Sequence, residues 1–388
     1  MNAVVKLRPG CTCSRDRDVQ PYRVLRDRCR SDFAPMRWPH SDVRVTTGDG
    51  VQLAVRDYDP PSRTQTLVFL HGFCLSRASW ARQIDYLLER YGDSTRIIAY
   101  DHRGHGDSSA APMGTYRIDR LAADLDEVLT ALDVTTPLTL VGHSMGAMAA
   151  LAYLSRPASE RSVDPHGLVL VATAAGKLAH RGLGRLLGTP ATPLLLKLIE
   201  HTPDLALKML AGPACTALSR GCSCWPARRT VLAAAAATAL ATTPVSTAVG
   251  FLPTLCDYDV YRTLGSVRAQ TVVVSGGADP LTPPVHSREL ARGIPGAAHL
   301  HVPQAGHMPQ HEAPHVIDHA IRQAMTIRAN PYAGGVAQAG RGSELQRTMA
   351  RRPYCAATPS SGASAVKIRI RSAVGTACTT RCEAPASS

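Results

Sequence analysis

A serine in a tight glycine-flanked turn is the first residue of this chain whose position suits nucleophilic chemistry. Ser144 lies in the segment GHSMG, residues 142–146, which follows the apolar run 138–141 and opens a helical pattern. Flanking glycines let a helix pack closely against the strand before it, while the turn exposes the hydroxyl. The helix N-terminus also directs its positive dipole end toward developing negative charge. The pattern predicts Ser144 as the nucleophile of an acyl transfer.

A serine hydroxyl is a poor nucleophile without a base, which is usually a histidine oriented by a carboxylate. His307 follows the strand pattern LHVP at 300–303, and Asp279 follows the strand pattern TVVVSGGA at 271–278. The chain order Ser, acid, His is typical of a triad built at the carboxyl ends of parallel strands. We therefore expect Ser144, Asp279 and His307 to form a catalytic triad.

Four other residues compete for two of these roles. His311 and His315 share the loop of His307 and the helix after it, so either is an alternative base. Asp257 and Asp259 are alternative acids, although neither follows a strand. Their types suit the chemistry, and only their placement argues against them.

Acyl transfer places negative charge on the carbonyl oxygen, so two donors are needed near the nucleophile. The backbone N–H of Met145, directly after Ser144, is one candidate. The loop after the strand pattern TLVFL at 66–70 supplies the other, and Phe73 is the expected donor. Cys74 has no histidine or basic residue beside it in sequence, so we interpret it as a bystander.

Strand and helix patterns alternate along the chain, which favours an α/β fold with a mostly parallel sheet covered on both faces. Two segments depart from this alternation. Residues 43–60 read as a hairpin around 48–50, and residues 177–262 read as an all-helical insertion divided by prolines. The alternating pattern occupies residues 41–176 and 263–328.

Five motifs together resemble the α/β-hydrolase superfamily: HGF at 71–73, DHRGHGDS at 101–108, GHSMG at 142–146, GGADP at 276–280 and GHMPQHEAP at 306–314. The resemblance covers residues 41–328. It implies an α/β-hydrolase fold, esterase- or lipase-like chemistry, and a helical cap (residues 177–262) inserted between the sixth and seventh strands. Relatives with Asp at the nucleophile position are dehalogenases and epoxide hydrolases, and Ser144 argues against both. Asp101, Arg103, Gly104 and Ser108 are interpreted as structural.

The net charge of +13 lies mainly at the two ends of the 388-residue chain. Residues 1–40 and 329–388 together carry 17 Arg and Lys against six Asp and Glu. Basic ends on a nearly neutral body are typical of solvated tails, so we expect both ends to be disordered and expect no nucleic-acid partner. The chain shows neither a membrane span nor a secretory signal, which favours the cytoplasm.

The 11 cysteines form no CxxC pair, and Cys222 and Cys224 lack two further ligands at zinc-finger spacing. We therefore expect reduced thiols, no metal and no cofactor.

The expected cap is leucine-rich at 183–210 and alanine-rich at 232–241, which indicates a small, lipophilic ester as substrate. Apolar cap faces also arise simply from packing on the domain below. Hydrolysis of lactones or C–C bonds and cofactor-free haloperoxidation use similar triads. A receptor that binds a ligand with little turnover is a further alternative. The sequence does not indicate an oligomeric state.

Overall fold

Nine strands form the central sheet of the computed structural model, which describes residues 38–135, 137–182, 185 and 243–326 and the backbone of Val24–Asp27. The strands are β1 Val24–Asp27, β2 Ser41–Thr46, β3 Gln52–Tyr58, β4 Gln65–Leu70, β5 Thr95–Tyr100, β6 Leu138–His143, β7 Pro165–Val171, β8 Gln270–Gly276 and β9 Ala298–Val302. Their order across the sheet is β1-β2-β3-β5-β4-β6-β7-β8-β9.

Seven α-helices are described within those residues. They are α1 Ala81–Tyr91, α2 Ile118–Ala131, α3 Met145–Ser155, α4 Val245–Asp257, α5 Pro284–Gly293, α6 Pro309–Glu312 and α7 Pro314–Met325. Short 3-10 helices lie at Arg77–Trp80, Met113–Thr115, Ala158–Glu160, Leu178–His180 and Tyr261–Ser266. The pattern analysis did not anticipate α5, which begins at a proline and has few large apolar residues.

The sheet is mostly parallel, as the alternating pattern predicted. Strands β5, β4, β6, β7, β8 and β9 pair in parallel in that order. The expected hairpin is β2–β3, which pairs antiparallel from Ser41 with Asp57 to Thr46 with Gln52. Strand β3 then pairs antiparallel with β5.

Strand β1 lies within residues 1–40, the segment expected to be disordered, and that expectation stays a prediction for the residues around the strand. Val24–Asp27 pairs antiparallel with β2, so this part of the N-terminal extension belongs to the sheet. The strand has only four residues, VLRD, and these show no alternating or apolar run that would predict a strand from sequence. The C-terminal segment 329–388 lies outside the described residues.

Apolar side chains fill both faces of the sheet. On one face, α2, α3 and α5 pack through residues such as Leu125, Leu151 and Leu290. On the other face, α1 and α7 pack through residues such as Leu87 and Ile317. All six residues of β6 are buried, as expected for a central strand with helices on both sides. The core therefore fixes the strand ends that carry the candidate site.

The cap expected at 177–262 is described only at its two ends. It lies between β7 and β8, which are the sixth and seventh strands counted from β2. Its last part forms α4, which packs against α2 and the turn Met113–Thr115. The leucine-rich and alanine-rich segments lie outside the described residues, apart from Arg185, and so do Cys222 and Cys224.

Candidate active site

Ser144 lies between β6 and α3 in a strained backbone conformation. Its φ of 50° and ψ of −115° fall in a region that residues with side chains rarely adopt. The surrounding chain holds this conformation, because Ser144 N donates to Val171 O at 2.9 Å and Thr173 Oγ1 donates to Ser144 O at 2.9 Å. At Gly146 a Cβ atom would lie 2.4 Å from Leu70 O, so only glycine allows α3 to approach β4 this closely.

The structure brings the three predicted side chains together in one relay. His307 Nε2 lies 3.1 Å from Ser144 Oγ, and His307 Nδ1 lies 2.9 Å from Asp279 Oδ2. Asp279 is fixed in turn by N–H donors from Leu281 and Thr282 at 2.9 and 3.0 Å and by Thr282 Oγ1 at 2.7 Å. Each residue therefore orients the next, as general-base activation of a serine requires.

Asp279 and His307 differ in charge and in solvent exposure, as proton transfer through the histidine requires. The Asp279 side chain is fully buried and that of His307 is 12% exposed. Burial by itself would raise the pKa of Asp279, but the charge of His307 and hydrogen bonds from His307 and Thr282 lower it below the ordinary value. Asp279 thus remains a carboxylate and stabilises a proton on the imidazole.

The four competing residues lie outside this relay. His311 in α6 and His315 in α7 are exposed. Asp257 ends α4 with an exposed side chain, and exposed Asp259 accepts a hydrogen bond from Tyr261 N at 3.0 Å. Within the described residues, none of these four side chains hydrogen-bonds to Ser144 or His307. The geometry favours Asp279 as acid and His307 as base.

The two predicted oxyanion donors come from two different turns, one directly after Ser144 and the other after β4. Met145 is the first residue of α3, where a backbone N–H has no partner inside the helix. Phe73 follows β4, and no acceptor for its N–H occurs among the described residues. The preceding carbonyl, Gly72 O, accepts from Leu75 N at 3.1 Å and from His71 Nδ1 at 2.8 Å. This geometry leaves both N–H groups available to a carbonyl oxygen.

A buried histidine lies beside Cys74, which the sequence analysis did not foresee. His105 Nε2 accepts the backbone N–H of Cys74 at 3.2 Å, although 31 residues separate the two in sequence. The contact involves the backbone of Cys74, so it does not by itself activate the thiol. The only sequence signal was a second histidine inside DHRGHGDS.

His143 is a second buried histidine beside the candidate site that the sequence analysis did not single out. The ring is fully buried, and burial followed by the nearby His307 lowers its pKa to about 3. The His143 ring is therefore neutral. Its Nε2–H donates to His307 O at 2.8 Å, because a carbonyl oxygen can only accept. At Gly72 a Cβ atom would lie 2.4 Å from His143 Nδ1, which explains a glycine there. The residue supports the loop that carries His307.

The DHRGHGDS turn is held by buried ion pairs, in agreement with its structural interpretation. Arg103 Nη2 lies 2.6 Å from Asp124 Oδ1, and both side chains are fully buried. Arg103 Nη1 also lies 2.9 Å from Asp49. Ser108 Oγ donates to Asp101 O at 2.6 Å. These contacts tie the turn after β5 to α2 and to the hairpin.

The described residues also bear on metal and membrane sites. Across those ranges, His, Cys, Asp and Glu side chains form no group of three or more suited to holding a metal ion. Among the helices given above, none is both long and apolar enough to cross a bilayer.

A family comparison agrees with this architecture. Residues 65–314 match the family described as "alpha/beta hydrolase fold". The match covers well over half of the chain and includes the Ser144, Asp279 and His307 positions. The protein therefore belongs to the α/β-hydrolase fold family, as the motif resemblance predicted.

The proteins that this chain resembles are named for different reactions. A non-heme chloroperoxidase of Burkholderia pyrrocinia is 29% identical over 168 residues, 43% of this chain and 52% of that protein. The 3-oxoadipate enol-lactonase 2 of Acinetobacter baylyi is 26% identical over 273 residues, 67% of this chain and 88% of that protein. A solved thermophilic esterase from Thermogutta terrifontis has a TM-score of 0.56 and 25% identity, covering 73% of this chain and 97% of its own. The chain spans about half the length of the chloroperoxidase.

Proposed function

We propose that this protein is a serine hydrolase that cleaves a carboxylic ester of a small lipophilic molecule through an acyl-enzyme intermediate. The observation that carries the proposal is the continuous relay from Asp279 through His307 to Ser144 Oγ, with distances of 2.9 and 3.1 Å. The esterase likeness and the family membership support the same reaction class.

In the acylation half, His307 Nε2 takes the proton of Ser144 Oγ as that oxygen bonds to the ester carbonyl carbon. The carbonyl oxygen becomes an oxyanion, which the N–H groups of Phe73 and Met145 stabilise. His307 then gives its proton to the leaving alkoxide oxygen as the carbon–oxygen bond breaks. The alcohol departs and the acyl group remains on Ser144.

In the deacylation half, His307 takes a proton from water, and the water oxygen bonds to the acyl carbon. The second oxyanion uses the same two donors. When the bond to Ser144 Oγ breaks, His307 returns the proton to that oxygen and the acid leaves. Asp279 stays ionised throughout and stabilises the imidazolium in both halves.

An apolar cluster next to the proposed oxyanion hole supports a lipophilic substrate. Met145 and Met148 of α3 pack with Tyr116, Phe251 and Tyr258, and Phe73 lies against the same cluster. These side chains extend from the nucleophile toward α4. An acyl chain placed along them would be removed from water.

Lactone hydrolysis is a second candidate, because a lactone is a cyclic ester and the same steps open it. The specific observation in its favour is the likeness to the Acinetobacter enol-lactonase over 88% of that protein. Opening a lactone leaves the hydroxyl on the acyl group, so acylation releases nothing and the whole reaction yields one hydroxy acid rather than an alcohol and an acid. A parallel assay with lactones of matched size separates the two substrates.

The test is labelling by a fluorophosphonate probe together with hydrolysis of p-nitrophenyl esters from acetate to hexanoate. The protein is expected to form one phosphonyl adduct per chain, located at Ser144, and Ser144→Ala is expected to lose labelling and turnover. Ser155→Ala, at the other end of α3, is the matched control and should keep both. Unlabelled protein that binds esters with no more than a single turnover would favour the receptor alternative instead.

Chain length tests the lipophilic part of the proposal separately. Each added methylene that is buried contributes up to about 0.8 kcal/mol, so kcat/KM should rise up to about fourfold per methylene until the apolar site is filled. Preference for acetate over every longer ester would remove the lipophilic substrate and leave the triad chemistry in place.

A further inference from the structure

The loop that carries Phe73 contains a residue in an unfavourable backbone conformation. Cys74 has a φ of 55°, in the left-handed region that residues with a side chain seldom adopt. Cys74 directly follows Phe73, and its N–H belongs to the peptide group formed with the Phe73 carbonyl. Any relaxation of Cys74 toward an ordinary φ would rotate that peptide and move Phe73. Some other contact must therefore hold the loop in place.

The acceptor that holds Cys74 is the ring of His105. His105 Nε2 lies 3.2 Å from Cys74 N, and His105 Nδ1 lies 3.0 Å from Arg103 O. A carbonyl only accepts, so the ring proton is on Nδ1 and the lone pair of Nε2 faces Cys74. Arg103 is itself fixed by the buried carboxylate of Asp124.

The surroundings of His105 keep that lone pair available. The ring is fully buried, and burial followed by the charge of His71 lowers the pKa of His105 to about 3. Phe73 contacts the ring edge-on with centroids 6.5 Å apart, and Phe251 of α4 lies 5.7 Å from it. A neutral acceptor thus stands between the oxyanion loop and the end of the cap.

We propose that His105 is a positioning residue, whose Nε2 holds the Cys74 N–H and thereby keeps the Phe73 N–H directed at the oxyanion. This inference rests on the proposed function, because Phe73 N–H has this role only if Ser144 attacks a carbonyl. The opposite side of Phe73 is fixed independently, since Gly72 O accepts from His71 and Leu75. The hydrogen bond from Cys74 N to His105 Nε2 therefore fixes the loop on the other side of Phe73.

Two amide substitutions separate the two nitrogen atoms of the ring. In His105→Asn, the amide N–H₂ group replaces Nδ1 and donates to Arg103 O, but the side chain is too short to reach Cys74 N. In His105→Gln, the longer side chain places its amide oxygen near the position of Nε2, where it accepts the Cys74 N–H. Since misplacement of a reacting group by about 1 Å costs up to about 10²-fold, His105→Asn should lower kcat roughly 10-fold to 100-fold. KM should change by less than about twofold, because the contact acts in the transition state. His105→Gln should recover most of the loss.

Strain at Cys74 provides a rescue that a merely structural role of His105 would not show. Glycine adopts a φ of 55° without a steric penalty, so the hydrogen bond is needed less when residue 74 is glycine. In the His105→Asn background, Cys74→Gly should restore at least half of the lost factor in kcat. If His105→Asn does not fold, His105→Phe keeps the ring without an acceptor and enters the same comparison.

The readout is kcat per active serine, titrated to completion with a fluorophosphonate, alongside inhibition by a trifluoromethyl ketone. That inhibitor forms a hemiketal oxyanion on Ser144, so its affinity should fall with kcat/KM in His105→Asn. An unchanged kcat per titrated serine, or no recovery with Cys74→Gly, would overturn the positioning role while the hydrolase proposal stood. Wild-type protein that neither labels nor hydrolyses esters would overturn both.

Discussion

In the proposed mechanism, Ser144, His307 and Asp279 depend on one another, because each hydrogen bond of the relay orients the next group. Loss of any one member removes most of the benefit of the other two, so their effects on rate do not add. His307→Ala and Asp279→Asn are each expected to lower kcat on p-nitrophenyl esters roughly 10³-fold or more, and the double variant little further. Steady-state kinetics on folded variants measure this.

Exposed alternatives provide matched controls for these two substitutions. His311→Ala and Asp259→Asn should keep kcat close to that of the unaltered protein, since both side chains lie outside the relay. A silent Asp279→Asn with an inactive Asp259→Asn would move the acid to Asp259.

The pH profile of the reaction tests which single residue is the base. The pKa of Asp279 lies below its ordinary value, so the carboxylate is ionised wherever a histidine titrates. Burial lowers the pKa of His143 to about 3 and that of His71 to about 4, so both stay neutral above pH 5. We expect kcat/KM to rise with pH along a single limb and then to level off, because a general base acts only in its unprotonated form. A flat profile would remove His307 as the base.

The sequence predicted the positions of some residues of the candidate site and not of others. The meeting of Ser144, Asp279 and His307 was predictable because each follows an apolar strand pattern at a glycine turn, and parallel strands bring such ends together. Their catalytic roles stay a prediction. His105 and His143 were not predictable, because their roles depend on contacts with Cys74 and His307 that lie 31 and 164 residues away.

At the scale of elements, buried ion pairs hold the turn after β5 against α2. Arg103→Met removes the hydrogen-bonded partner of buried Asp124 and leaves it only the more distant Arg120, whose Nε lies 3.5 Å from Asp124 Oδ1. Breaking a buried ion pair typically costs 3–5 kcal/mol, so we expect a loss of up to about that size in the free energy of unfolding. Urea unfolding measures the difference. The control is Arg117→Ala, which removes the exposed pair with Asp119 and should leave the unfolding midpoint unchanged. Equal effects of the two substitutions would contradict this account of the turn.

Helix α7 carries a carboxylate whose ionisation opposes folding. Burial raises the pKa of Asp318 to about 6, and its Oδ1 has no hydrogen-bond partner among the described residues. An acid with a raised folded-state pKa stabilises the fold when protonated, and this contribution is lost as pH rises from about 4 to about 6. Asp318→Asn should therefore raise Tm at pH 7, with a gain that vanishes below about pH 4.

Thermal unfolding of Asp318→Asn between pH 4 and pH 7 measures the effect, with exposed Asp85→Asn in α1 as control. A gain in Tm that did not vary with pH would show that the stabilisation has another origin.

Elements with a clear period were predictable and short ones were not. The strands β4 to β9 and the helices α1, α2, α3 and α7 follow apolar runs or three- and four-residue spacing. Strand β1 has four residues and α5 has few apolar ones, so pairing and packing with the rest of the chain determine them.

At the scale of the whole molecule, strand β1 raises a test of the folded unit, whose boundary was expected at residue 41. A fragment of residues 41–328 lacks β1 and exposes the edge of β2, whereas a fragment of residues 24–328 keeps that pairing. We expect both fragments to hydrolyse esters with the kcat of the full chain, because the site lies at β4, β6, β8 and β9. The shorter fragment should have the lower Tm, by differential scanning calorimetry. Identical Tm values would show that β1 adds nothing to the fold.

The most direct measurement of the account is acid-quenched mass spectrometry during turnover of a p-nitrophenyl ester. The account predicts a rapid release of one p-nitrophenol per active chain, and a mass increase of one acyl group on the peptide that contains Ser144. His307→Ala should show neither within the same time. Sustained hydrolysis with unmodified Ser144, or an acyl group on another residue, would contradict the assignment of Ser144 as the nucleophile.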